Sequence, residues 1–182
     1  MYELLKNFNK KIRKEVEGIC DLVLQKDDVS LDIFDSPSCF SKCPQNHPRP
    51  TSLWGRHGIY IFLIEHDEVI SENKVRKWNE LNQGASFKNY KPYDLKQGDC
   101  LYVGDCVSFS LYTRIRQHFA NQESYSSLKL NNPARNFLLN NVKIYAFPIK
   151  NVYTEEMYRV ILPTIEKRLH ELLQPKCGSS RT

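Results

Sequence analysis

No stretch of this sequence comes near the roughly 20 consecutive apolar residues that a membrane-spanning helix requires. Met1 to Glu17 is charged and helix-patterned, and it lacks the apolar core of a secretory signal peptide. The chain has no internal repeats. It also lacks a strong charge of either sign. The 26 Lys+Arg and 21 Asp+Glu residues leave +5, which permits a polyanionic partner without demanding one. Cysteine is scattered, at positions 20, 39, 43, 100, 106 and 177, and without a secretion signal these read as reduced thiols. Cys39-x-x-x-Cys43-x-x-x-His47 has metal-like spacing. No second Cys/His pair supplies the four ligands a structural zinc usually takes, so a plain Pro-rich loop is the default reading there. Together these absences predict a soluble, cytoplasmic protein with no membrane partner.

What remains is a globular composition of 182 residues, 41% hydrophobic and 12% aromatic, enough for one domain with a short extra arm. Leu4, Leu5, Phe8, Ile12, Val16, Ile19 and Val23 recur at mostly helical intervals and predict a helix over Leu4 to Gln25. The stretch 35–54 holds prolines at 37, 44, 48 and 50, enough to forbid a regular element. Gly58 to Ile64 is an apolar, β-rich run and predicts a strand, as does Cys100 to Gly104. A short helix is expected around Ser71 to Leu81, another over Leu111 to Phe119, and a third over Asn132 to Asn140. Val142 to Pro148 alternates like a strand, and Thr154 to Leu173 reads as helix interrupted by Pro163, either kinked there or restarted. The pairing of the strands is left open at this level.

Three segments carry chemistry when taken together. Gly58-Ile59-Tyr60 lies on the first expected strand, Tyr102-Val103-Gly104 on the second, and Leu111-Tyr-Thr-Arg114-Ile-Arg-Gln-His118 on the helix that follows. Glu166-Lys-Arg-Leu-His-Glu-Leu-Leu-Gln-Pro175 comes late, with Glu155 and Glu156 as competing acids. In this order the residues resemble the GIY-YIG nuclease superfamily, whose second strand motif here has Val for the middle Ile. The resemblance runs from about Gly58 to Pro175. Tyr60 and Tyr102 stand 42 positions apart, as in restriction-like members with an insertion. Gly178 stands three residues beyond Pro175, so the Asn found after that proline in many members has no counterpart here.

The resemblance implies a small α/β (α+β) domain, a three-stranded mixed or antiparallel sheet flanked by helices, to which the helical pattern of Leu4 to Gln25 adds an N-terminal helical arm. Residues 1–54 would be arm and Pro-rich linker, and 55–182 the nuclease-like domain with an insertion at 66–98. It further implies an Mg²⁺- or Mn²⁺-dependent endonuclease acting on DNA, with Tyr60, Tyr102, Arg114, His118 and Glu166 catalytic and Glu166 holding the metal. The residue types suit that chemistry. A carboxylate can hold a Mg²⁺ that keeps most of its waters. A guanidinium, always charged, offers bidentate contact to phosphate. A phenol could take the proton from attacking water, though a free one is only about 0.1% ionised at pH 7, so its site must compensate. A restriction-type role would favour a homodimer on a palindrome.

Plainer readings stand beside these. Strand tyrosines are commonly packing residues, a helix Arg or His is commonly solvated, and Glu166 is crowded by Lys167, Arg168 and Glu171. The alternative is a catalytically inactive nucleic-acid-binding or regulatory module on the same fold, against which the presence of Tyr60, Tyr102, Arg114 and Glu166 argues. Lys74, Arg76 and Lys77 in the insertion, Arg116 on the helix, and Lys129 and Arg135 further on are candidate DNA contacts, because Lys and Arg pair with phosphates and base edges. A charged solvated face explains the insertion residues as well.

Overall fold

Every residue of Gly58–Ile64 is apolar, and a strand of that kind is stable only where both of its faces are covered. In the computed structural model, which describes residues 38–41, 53, 56–80, 94–108, 110–120, 127–133, 135–149 and 154–178, it lies inside a sheet. In chain order the elements are β1 (Ser38–Ser41), β2 (Gly58–Ile64), β3 (Glu68–Val69), α1 (Glu72–Glu80), β4 (Asp94–Leu95), β5 (Cys100–Cys106), α2 (Leu111–Gln117), a 3₁₀ turn (Asn136–Leu138), β6 (Val142–Pro148) and α3 (Glu155–Leu173). The main sheet has the order β1-β6-β2-β5 and is antiparallel throughout. The helix expected over Leu4 to Gln25 lies outside the described residues, as do Cys43 and His47. Among the described residues, no helix is long and apolar enough to cross a membrane.

The three strands expected from the sequence form the body of the sheet, and the two motif strands are direct neighbours, with Tyr60 opposite Gly104 and Phe62 opposite Tyr102. Strand β1 corrects the expectation of no regular element over 35–54. It fits in the proline-free gap between Pro37 and Pro44 and, among the described residues, pairs on one side only, from Ser38↔Ala146 to Ser41↔Lys143.

Alternation along β2 sorts the core into two layers. Tyr60, Phe62 and Ile64 face α2 and the segment after it, packing with Leu111, Ile115, Phe119, Leu128 and Leu138. Ile59, Ile61 and Leu63 face α3, packing with Tyr158, Ile161, Leu162, Ile165 and Leu169. Helix α2 is set in place at its start. Ser110 Oγ accepts from Thr113 N–H at 3.1 Å as its N-cap, and Leu111 N–H donates to the Arg56 carbonyl at 3.0 Å.

The expected interruption at Pro163 does not occur, and α3 is continuous through it. An interior proline costs about 3 kcal/mol. Tyr158, Ile161 and Leu162 before it and Ile165 and Leu169 after it are all buried on one stripe. Five such side chains, at about 1.5 kcal/mol or more each, outweigh one proline. The helix expected over Asn132 to Asn140 shrinks to the single 3₁₀ turn. Its apolar residues Phe137, Leu138 and Leu139 are consecutive rather than spaced at helical intervals, and asparagines compete for the backbone.

The insertion begins and ends on a two-stranded stalk, β3 against β4. Buried Asn141 braces its base. Its Nδ2 donates to the His66 carbonyl at 2.9 Å and to Glu68 Oε2 at 3.1 Å, while its Oδ1 accepts from His66 N–H at 2.7 Å. The end of β2 and the start of β5 therefore meet across the insertion, with Ile64 N–H donating to the Asp99 carbonyl at 2.9 Å.

Candidate active site

Two glycines let the motif strands and their tyrosines come together. At Gly104 a Cβ would lie on the end of the Tyr60 phenol and 2.8 Å from Tyr102 Cε1, so the absent side chain is the space the Tyr60 ring occupies. At Gly58 a Cβ would collide with the Phe147 carbonyl and sit 2.8 Å from Leu111 Cδ2, so glycine lets β6 and α2 close on the strand. The Tyr60 and Tyr102 rings then lie 6.1 Å apart, and His118 at the end of α2 comes within 5.3 Å of one and 4.8 Å of the other.

Tyr60 is fully buried, with its Oη 2.8 Å from His118 Nε2. The direction of that bond follows from the other side of the imidazole. The Leu128 backbone N–H donates to His118 Nδ1 at 3.1 Å. A peptide N–H cannot accept, so Nδ1 is bare, the ring proton sits on Nε2, and His118 donates to the Tyr60 oxygen. Protonating His118 would set N–H against N–H. Burial first, and the nearby Arg114 charge second, hold its pKa well below the usual value.

Arg114, partly buried one helical turn before His118, hydrogen-bonds to Tyr60 and through Nη1 to Gln117 Oε1 at 3.0 Å. Burial opposes its charge, but the Tyr60 and Tyr102 oxygens more than compensate and raise its pKa. Tyr102 also hydrogen-bonds to Tyr60. His118, Arg114 and Tyr102 are thus all polar partners of the Tyr60 phenol. Burial, then Tyr102, and also Glu166 and Asp105, push the Tyr60 pKa well up against the pull of Arg114. Tyr102 is pushed up to about 12, by burial first, with Glu166 and Asp105 adding and Arg114 opposing. At neutral pH both rest as neutral phenols.

The structure therefore brings Tyr60, Tyr102, Arg114 and His118 together. Glu166 is on α3, which packs on the opposite face of the sheet, yet it is 5% exposed and its charge acts on both phenols. Asp105, equally buried, acts on the same two phenols, and sequence reasoning missed it. Its one available signal was its place immediately after Gly104 in the second motif. Among the described residues, no group of three His, Cys, Asp or Glu side chains is placed to hold a metal ion. The donor set fits a cation that binds through one or two carboxylates and keeps its waters.

The candidate DNA contacts separate. Lys74, Arg76 and Lys77 are exposed on α1, Lys74 pairing with Glu68 at 3.6 Å and Arg76 with Glu80 at 3.8 Å. Arg116 is exposed on α2, and Lys129 is half-buried in a left-handed conformation at φ 52°. Arg135 corrects the expectation. It is 2% exposed, out of reach of a duplex, and its Nη1 donates to the Leu128 carbonyl at 2.8 Å.

The neutral, buried His118 has a consequence for stability. Its pKa is depressed in the folded state and near 6.5 in the unfolded chain. Its contribution is therefore present above pH 6.5 and is lost as pH falls below it, at up to about 1.4 kcal/mol per pH unit. Half-buried His170, lowered by burial against its bond to the Val103 carbonyl, acts in the same direction. Urea midpoints measured between pH 7.5 and 5 are expected to fall, and His118→Gln is expected to flatten the profile. An unchanged slope in that variant would remove His118 as the source.

The chain matches no protein-family model, no curated protein and no solved structure.

Proposed function

We propose that this chain is a GIY-YIG-like endonuclease that hydrolyses DNA phosphodiester bonds, double-stranded DNA being its substrate, with Mg²⁺ or Mn²⁺ as cofactor. One observation carries the reading. The Tyr60 oxygen receives His118 Nε2–H and is hydrogen-bonded by Arg114 and Tyr102. The His118 N–H and the Arg114 guanidinium favour the ionised oxygen over the neutral one, which offsets part of the burial penalty, while Tyr102 opposes them. A phenolate there, accepting from His118 and Arg114, keeps a lone pair with which to take a proton from water as it attacks phosphorus. Arg114 adds a fixed positive charge beside the phosphoryl oxygens. Glu166, with Asp105 as the other buried carboxylate acting on the same phenols, would hold the cation, which when bound polarises the phosphate. Arg114 is half-buried and marks the side from which a phosphate would approach, while Tyr102, Asp105 and Glu166 are buried behind it.

The complete burial of Tyr60 favours a second reading. In it the phenols are core hydrogen-bonding groups of a nucleic-acid-binding module, and nothing is cut. Supercoiled plasmid separates the two. A nuclease converts it to nicked or linear DNA with Mg²⁺ and not with EDTA, and Glu166→Ala and Arg114→Ala each lose at least about 10²-fold in rate. Retarded but uncut plasmid at every metal concentration would establish the binding module.

A further inference from the structure

Arg135 has the chemistry of a surface residue and the environment of a core one. A guanidinium that is 2% exposed is expensive, and burial drags its pKa down to about 10. At that depth it cannot offer itself to a base or a phosphate. What it does make is a 2.8 Å bond to the carbonyl of Leu128. The same residue's N–H holds His118 Nδ1 at 3.1 Å, and His118 Nε2 is 2.8 Å from Tyr60 Oη. The segment is fastened to α2 by two more backbone bonds, Leu130 N–H to the His118 carbonyl at 2.8 Å and Asn131 N–H to the Phe119 carbonyl at 3.3 Å. Lys129, beside Leu128, adopts the left-handed conformation at φ 52°, uncommon for a side chain of its kind.

We propose that Arg135 is a positioning residue for the nuclease reaction: by holding the Leu128 carbonyl it orients that segment so that the Leu128 N–H selects the Nε2–H form of His118, which in turn aims its proton at Tyr60. The inference rests on the reading of Tyr60 as the reacting phenol, but its first half concerns only which nitrogen of His118 carries the proton. A residue fixed at its carbonyl oxygen cannot easily swing its N–H away from Nδ1. Released at the oxygen, it can. The imidazole then loses the partner that distinguishes its two nitrogens, and both neutral forms become accessible. The relay passes through backbone groups, so the identity of residue 128 matters only for its packing.

The test uses full-length protein labelled with ¹⁵N at histidine, the His118 signals being assigned by their loss in His118→Gln. At pH 7.5 the wild type is expected to show one bare, hydrogen-bonded Nδ1 and one protonated Nε2. In Arg135→Met the two shifts are expected to move toward each other, and kcat for plasmid cleavage to fall roughly 10²-fold with KM unchanged, the size of effect expected of a misplaced reacting group. Arg135→Lys, which keeps a donor and a charge, covers the case in which Arg135→Met fails to fold. It is expected to lie between the two in both measurements. A folded Arg135→Met or Arg135→Lys with His118 still wholly in the Nε2–H form and unchanged kcat would overturn the proposal. If wild-type protein cuts nothing, the nuclease reading fails, while the nitrogen shifts still decide whether Arg135 sets the imidazole.

Discussion

Tyr60→Phe is expected to lower the rate of plasmid cleavage by roughly 10²–10⁴-fold, the range typical of losing a positioned general base. The substitution removes one oxygen and almost no volume, so the ring keeps its packing against Phe62, Tyr102 and His118 at centroid distances of 6.0, 6.1 and 5.3 Å. What is lost is the oxygen that accepts from His118 and bonds with Arg114 and Tyr102. His118 Nε2–H is then left facing a phenyl edge in a fully buried position, at a cost of about 1–3 kcal/mol. For a chain of 182 residues that lowers Tm by several degrees without abolishing the fold. Tyr102→Phe is expected to cost less in rate, because Tyr102 supplies one of three partners rather than the oxygen itself. Initial rates at saturating Mg²⁺, read beside a thermal melt of each variant, check both effects. A Tyr60→Phe enzyme that cuts at the wild-type rate would take Tyr60 out of the chemistry.

Gly104→Ala should do nearly as much damage while touching no polar group. The new methyl would overlap the end of the Tyr60 ring and stand 2.8 Å from Tyr102 Cε1. Neither ring has room to retreat: Tyr60 is wedged among Phe62, Tyr102 and His118, and Phe119 backs Phe62 at 6.0 Å. Overpacking of this kind costs about 1–3 kcal/mol. A shift of the reacting oxygen by about 1 Å costs about 10²-fold in rate. The comparison variant is Gly98→Ala. Gly98 has φ +90°, and a methyl added there would meet no atom within 4 Å. That variant therefore suffers backbone strain of about 1–2 kcal/mol and no loss of cleavage rate. Equal Tm and equal activity for Gly104→Ala and the wild type would mean that Tyr60 is not held where the structure holds it.

The two motif strands illustrate what neighbouring residues disclose. Apolar runs and alternation bound Gly58 to Ile64 and Val142 to Pro148 correctly, because a strand's face pattern is a property of adjacent positions. The strand expected over Cys100 to Gly104 exists but runs two residues further, through Asp105, which is buried in it. Local composition also misjudges the Pro-rich stretch. It describes the prolines rightly and misses that four proline-free residues between two of them suffice for an edge strand once β6 offers a ladder. Pro163 misleads for the same reason. Its cost is local, while the side chains that outweigh it are buried against a sheet formed by residues 15 to 105 positions earlier in the chain.

Taken alone, the order of residues determined the sheet's three main strands, the helix bearing Arg114 and His118, and a short set of polar groups worth watching. Tertiary structure decided that β2 and β5 pair directly, that the charges of Glu166 and Asp105 act on the two phenols, and that Arg135 is buried rather than offered to a partner. It also decided which way the hydrogen bond between His118 and Tyr60 runs. The physical reason is common to all of these. Periodicity is written in side chains, one position after the next. A backbone N–H is the same at every non-proline residue, and a charge becomes buried or solvated only when remote parts of the chain close around it.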